Sequence, residues 1–260
     1  MAGTDSSTPR DIPVDMITRG DAIQFRNWWS ERVQAGLKIE TANKDLMHLS
    51  QIVGTWIKFT EAGIDNPFAG LRLEGKDGGT TPPFSRWWIV EKLLGEGELD
   101  RLNEEARDVF LLMVNTGLRP SEITDAPLSD FVLNHSIPHL RVAANGRQLK
   151  VQHAARDIPL LGVSLEAAQR IAARGGVKRY AHKAGSWSAL VNKYLANNAL
   201  KETDKHVAYS LRHYVEDALL SAGVDDRIRA DILGHKYKRP NYGIGGGLEG
   251  RRGALERIAL

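Results

Sequence analysis

From Thr18 onward the apolar positions recur at helical intervals: Phe25, Trp28, Trp29 and Val33 fall three or four residues apart and share one face. Leu46, Leu49, Ile52, Val53, Trp56 and Ile57 repeat the pattern, which predicts a second helix with Thr41 as its N-cap and Gly63 and Asn66-Pro67 as its stop. The stretch EGKDGGTTPP, residues 74 to 83, holds Gly, Thr and Pro but no large apolar residue. It cannot bury a face, so it reads as an exposed linker. This divides the chain into a polar lead expected to be disordered (1–14), a helical module (15–74), a linker (75–83) and a larger unit (84–260).

In the larger unit, Ser85 to Leu94 is helical in pattern. Ala106, Val109, Phe110, Met113 and Val114 line the apolar side of a helix ending at Thr116-Gly117. His139 to Ala144 and Arg156 to Leu161 read as two strands, with Asn145-Gly146 as the turn signal between them. Helices are predicted around 164–173, 187–199 and 208–222, and a short one from Asp225 to Leu233 runs out at Gly234. The fold class is therefore mainly α with a small β-sheet or hairpin. In the tail LEGRRGALERIAL, Leu248, Leu255 and Ile258 lie on one face if the segment is helical, which makes it the expected piece to dock on a neighbouring protomer.

Composition narrows the function classes. A chain of 260 residues with 42% hydrophobic content is long enough for two cores. The net charge of +3 is modest, but the pI of about 9.1 leans towards a polyanionic partner. Zero cysteines leaves no disulfide or thiolate metal site and fits a reducing cytoplasm. No stretch reaches eighteen uninterrupted apolar residues and MAGTDSSTPR has no apolar signal region, so no membrane partner is expected. His48, His135, His139, His153, His182 and His206 show no metal-ligand spacing, and Gly245-Gly246-Gly247 follows no strand and precedes no Lys-Ser/Thr. Neither metal nor nucleotide cofactor is expected.

The candidate chemistry is cationic. Arg119 in TGLRPSE sits at a helix end, with Glu122 three residues on as a supporting carboxylate. Lys150 and Arg156 lie in LKVQHAARDIPL, and Arg141 and Arg147 before it, with Arg156, give the hairpin a DNA-backbone-binding character. YSLRH brings Tyr209 and Arg212, and LGHKYKRPNYG brings His235, Lys236, Lys238, Arg239 and two tyrosines, Tyr237 and Tyr242. Phosphoryl transfer to a side-chain hydroxyl needs a nucleophile, fixed positive charge on the non-bridging oxygens and a proton donor for the leaving oxygen. Arginine suits the second task, because its fork binds phosphate and stays charged.

The order of these motifs resembles the tyrosine recombinase (phage integrase) family. TGLRPSE is similar to its first arginine box, the Arg-x-Ile-Pro-Leu return strand to its lysine-bearing hairpin, and YSLRH followed by LGHK to its second box. The resemblance implies that residues 15–74 form a helical, SAM-like core-binding domain and 84–260 the catalytic domain. It assigns Arg119, Arg212 and His235 to the phosphate, Lys150 to the leaving group, and Tyr242 to the attack that forms a 3′-phosphotyrosyl bond. Tyr209 stands where the family usually carries histidine. Tyr242 lies seven residues after His235, closer than is usual, and Tyr237, two residues after it, is the alternative. A tyrosine followed by Gly-x-Gly resembles a proteobacterial phage-type branch. The resemblance also implies double-stranded DNA attachment sites, a homotetramer on DNA, an accessory DNA-bending or directionality factor, and strand exchange without cofactor. A non-catalytic DNA-binding relative and a type IB topoisomerase are the competing expectations.

Overall fold

The computed structural model describes residues 12–75, 81–143, 155–237 and 246–260. The chain divides into two compact units, Met1–Thr80 and Thr81–Leu260.

In the first unit, α1 (Arg19–Gln34) opens on a capping box: the Thr18 hydroxyl accepts from the Asp21 amide at 3.2 Å, and the Asp21 carboxylate accepts from the Thr18 amide at 2.8 Å. Helix α2 (Ile39–Thr60) starts earlier than Thr41, because Ile39 and Ala42 are buried and their packing draws the first turn into the helix without a side-chain cap. It stops at Thr60, ahead of Gly63, with Glu61 in the left-handed conformation (φ 51°). Trp29, Leu46 and Val53 pack with Phe68, Leu71 and Leu73 from the following segment. That segment is fixed by Asn43, whose side chain both donates to and accepts from the Leu73 backbone at 3.0 and 2.8 Å. Trp28 does not share the buried face of Trp29; it lies outward, stacked on Phe25 and covered by the Arg32 guanidinium 3.9 Å from its ring centre.

The second unit opens with α3 (Arg86–Trp88), continued by a π-helical turn to Leu93. It is built around α4 (Glu104–Thr116), capped by Asn103 and buried along almost its whole length. Against it lie α6 (Gly162–Ala173), α8 (Ser210–Ser221) and, through the Trp187 indole, α7 (Ala184–Asn197), whose Nε1 donates to the Ala106 carbonyl at 3.1 Å. A five-residue helix α5 (Pro120–Thr124) follows α4, and α9 (Asp226–Leu233) follows α8. The antiparallel sheet has the order β1 (Phe131–Val132), β2 (His139–Val142), β3 (Arg156–Pro159), with Leu140 opposite Ile158 and Val142 opposite Arg156. Strand β1, only two residues long, has no alternation to read and was not expected.

The tail departs from expectation. Helix α10 (Gly247–Glu256) packs on β3 and α9 of its own unit, burying Ala254, Leu255 and Ile258 in the main core. Arg251 donates to the Asp157 carbonyl at 3.0 Å, Arg86 to the Ile258 carbonyl at 3.0 Å, and the Asn115 side chain brackets the Leu260 backbone. Of the three residues predicted for the tail's apolar face, Leu255 and Ile258 are buried in the chain's own core, while Leu248 is only half-buried. Among the described residues no helix is long and apolar enough to cross a membrane.

Candidate active site

Two left-handed glycines aim the site. Helix α4 ends on Gly117 (φ 61°), where a Cβ would stand 3.0 Å from Val215 Cγ1 and 3.1 Å from Leu233 Cδ2. Only glycine turns the chain that closely, and the turn delivers Arg119 to the start of α5 with Pro120 at the first helical position. Glu122, one turn in, accepts from the Arg119 amide at 2.8 Å and from its guanidinium at 2.8 Å. The carboxylate therefore both caps α5 and orients Arg119. Gly234 (φ 63°) likewise ends α9 and lets the His235 amide donate back to the Ala230 carbonyl at 2.9 Å.

Arg212, in the first turn of α8, ties these two turns together. Its Nη1 donates to the Gly117 carbonyl at 2.7 Å, its Nη2 donates to the Leu233 carbonyl, and Nη2 lies 3.1 Å from His235 Nε2. Arg212 is only 2% exposed. A buried cation is tolerable here because it faces the carbonyl ends of α4 and α9, where the helix dipoles are negative. Burial, reinforced by the neighbouring Arg119 charge, still pulls its pKa down to about 10.

The other shifts have the same origin. Burial pushes the Glu122 carboxyl up, but the hydrogen bond and charge of Arg156, with the amide and charge of Arg119, more than offset it and hold the group below the usual carboxylate range. His235 is lowered by burial first and by Arg212 next, against a weaker opposing pull from Glu216, whose carboxylate lies 3.9 Å from Nδ1. The imidazole is accordingly neutral at pH 7. An anion placed beside it favours the protonated ring, so binding of DNA is expected to raise the His235 pKa. Between the free and bound values the complex takes up protons, and affinity strengthens as pH falls through that window. An NMR titration of the His235 ring with and without a DNA duplex checks this; an unchanged or lowered value on binding would remove His235 from the phosphate.

The sequence profile of the phage integrase family matches residues 90–239. That span is more than half of the chain and holds the glycine turns, Arg119, Arg212 and His235. The chain belongs to the phage integrase family, the tyrosine site-specific recombinases. Solved integrases share the fold at low identity. The Tn1549 transposon integrase, in complex with transposon right end DNA, is 20% identical with a TM-score of 0.61 over 96% of this chain and 88% of that one. A λ integrase dimer bound to a COC′ core site is 17% identical with a TM-score of 0.59, covering 88% of this chain and 80% of that one. The integrase from mycobacterium phage Brujita is 18% identical with a TM-score of 0.51, covering 94% and 79%. Among curated proteins no sequence relative matches.

Within this integrase, the remaining sequence-predicted residues separate. Arg156 does not face outward as a DNA-contacting residue would: its side chain is 2% exposed and pairs with Glu122 at 2.9 Å. Arg141 is exposed on β2, 3.3 Å from Asp157, and Lys236 is exposed beside His235. Tyr209 precedes α8, 36% exposed, its ring edge-on to His213 at 5.4 Å. Tyr237 is half-buried in a cleft of about 340 Å³ whose walls include Glu216, Asp226 and His235. Arg147, Lys150, Lys238, Arg239 and Tyr242 lie outside the described residues. The pattern RxxE marked Glu122 as Arg119's partner, but nothing local marked it as shared with Arg156, 34 residues away. Glu216, four residues after Arg212, was missed because a helical i,i+4 pair reads as surface electrostatics.

Proposed function

We propose that this integrase cleaves and rejoins DNA through a 3′-phosphotyrosyl intermediate at a specific site. The observation that carries the reading is the meeting of Arg212 with His235 at 3.1 Å, against the two helix ends that also set Arg119. Three groups that can hold a phosphate's non-bridging oxygens thus converge from segments far apart in sequence, which supports the reading.

In this mechanism the Tyr242 hydroxyl gives up its proton to solvent as its oxygen attacks the scissile phosphorus, a phosphotyrosyl ester forms, and the bond to the 5′ oxygen breaks. Lys150 gives that oxygen its proton, and the leaving strand departs as a 5′-hydroxyl. Arg119, Arg212 and His235 stabilise the charge that builds on the other oxygens. The ester conserves the bond energy, so religation by a second 5′-hydroxyl needs no ATP or other cofactor. Arg141 and Lys236, with Arg147, Lys238 and Arg239, supply backbone contacts, and the helical first unit acts as the core-binding module on double-stranded DNA. A λ integrase tetramer is known bound to a Holliday junction, and four protomers of this chain are taken to act the same way, in the cytoplasm and with an accessory bending or directionality factor.

A nicked duplex that loses its short 5′-hydroxyl strand on cleavage traps the intermediate. Incubation with a duplex carrying the attachment site is expected to give a protein–DNA band stable to denaturant. DNA binding without that band would make the chain a non-catalytic relative, while relaxation of supercoiled DNA of any sequence would make it a topoisomerase.

A further inference from the structure

Strand β3 buries an arginine. Its side chains alternate so that Arg156 and Ile158 face the core, a place where an unpaired charge would cost far more than an aliphatic residue of the same volume. Arg156 is nonetheless held on both sides of the site. Its Nη1 and Nη2 grip the two Glu122 oxygens at 3.0 and 2.9 Å, and Glu122 in turn holds Arg119. Its Nε donates to the Ile232 carbonyl at 2.8 Å, in the last turn of α9. The turn beyond rests on the guanidinium itself: a Cβ at Gly234 would stand 2.7 Å from Arg156 Nη1 and 2.8 Å from Cζ. The residue after that glycine is His235.

We propose that Arg156 is the positioning residue of this site: one buried guanidinium sets Arg119 through Glu122 and His235 through the turn from Ile232 to Gly234, without itself touching DNA. The three hydrogen bonds diverge from a single planar group, so a shift of Arg156 moves both phosphate-binding residues together. Lysine keeps the charge but cannot span two carboxylate oxygens and a carbonyl with that geometry. Because β3 also begins six residues after Lys150, the anchor fixes the point at which that segment rejoins the core.

The proposal rests on the recombinase reading, and its test separates the two. With saturating nicked duplex, Arg156→Lys is expected to slow adduct formation roughly 10- to 100-fold, the usual result of misplacing catalytic groups by a fraction of an ångström or more, while duplex affinity stays unchanged. Glu122→Gln is expected to give a similar loss, and the double variant no more than the larger single loss, because both changes break one chain of contacts. It also keeps the test open should Arg156→Lys not fold. A duplex with a neutral methylphosphonate at the scissile position needs less positive charge, so the gap between parent and variant is expected to narrow there, which a general loss of structure would not do. Parent adducts matched by Arg156→Lys, an additive double variant, or a gap of the same size on both duplexes would overturn the positioning role alone. A parent chain that forms no adduct would overturn the recombinase reading and this role with it.

Discussion

Tyr242→Phe is expected to form no covalent protein–DNA adduct on a nicked substrate while binding the same duplex with the parent's affinity. The phenyl ring keeps the bulk of the side chain and removes only the oxygen that attacks, so the chemistry is lost and the contacts are not. The control is Tyr237→Phe, expected to retain adduct formation. Tyr237 follows His235 by only two residues and lies in a cleft lined by both acidic and basic groups, Glu216 and Asp226 with Arg229 and Lys236, so its spacing and not the charge of the cleft ranks it second. Adducts from Tyr242→Phe together with none from Tyr237→Phe would reverse the assignment.

The second large effect belongs to Arg212. Arg212→Ala is expected to slow single-turnover cleavage by about 10² or more, as loss of one preorganised oxyanion donor does. The same change removes the donors to the Gly117 and Leu233 carbonyls, and each buried acceptor left unpaired costs about 1–3 kcal/mol. Thermal denaturation should therefore show a lower midpoint. Cleavage is to be measured well below that midpoint, where the variant is folded and duplex binding can be verified. Parent-like cleavage under those conditions would take Arg212 out of the chemistry and leave it a brace between two helix ends.

What was legible in the sequence depended on the range of the interaction that fixes it. Helix α4 could be read from its apolar period and its Thr-Gly stop, and β3 from Ile158 and Pro159 after a turn signal, because those patterns are local. Thr41 misled for the opposite reason: burial of Ile39 against residues brought from the end of the unit outweighed a favourable cap. In the site, Arg119 and Glu122 are neighbours on one turn and could be paired by inspection. Arg156 could not be told from a surface cation, since its burial depends on Glu122 and on the end of α9, 34 and 76 residues away. The tail was half legible. Its apolar stripe shows in the spacing of Leu255 and Ile258, but which surface covers the stripe is a matter of three-dimensional proximity to β3 and α9.

The docking of α10 couples the tail of the chain to the candidate site. Helix α10 packs on β3, which carries Arg156, and on α9, which leads into His235, and Arg251 adds a hydrogen bond to the Asp157 carbonyl at 3.0 Å. The tail therefore braces the same two elements that Arg156 ties together, and its removal is expected to lower the thermal midpoint of the catalytic unit.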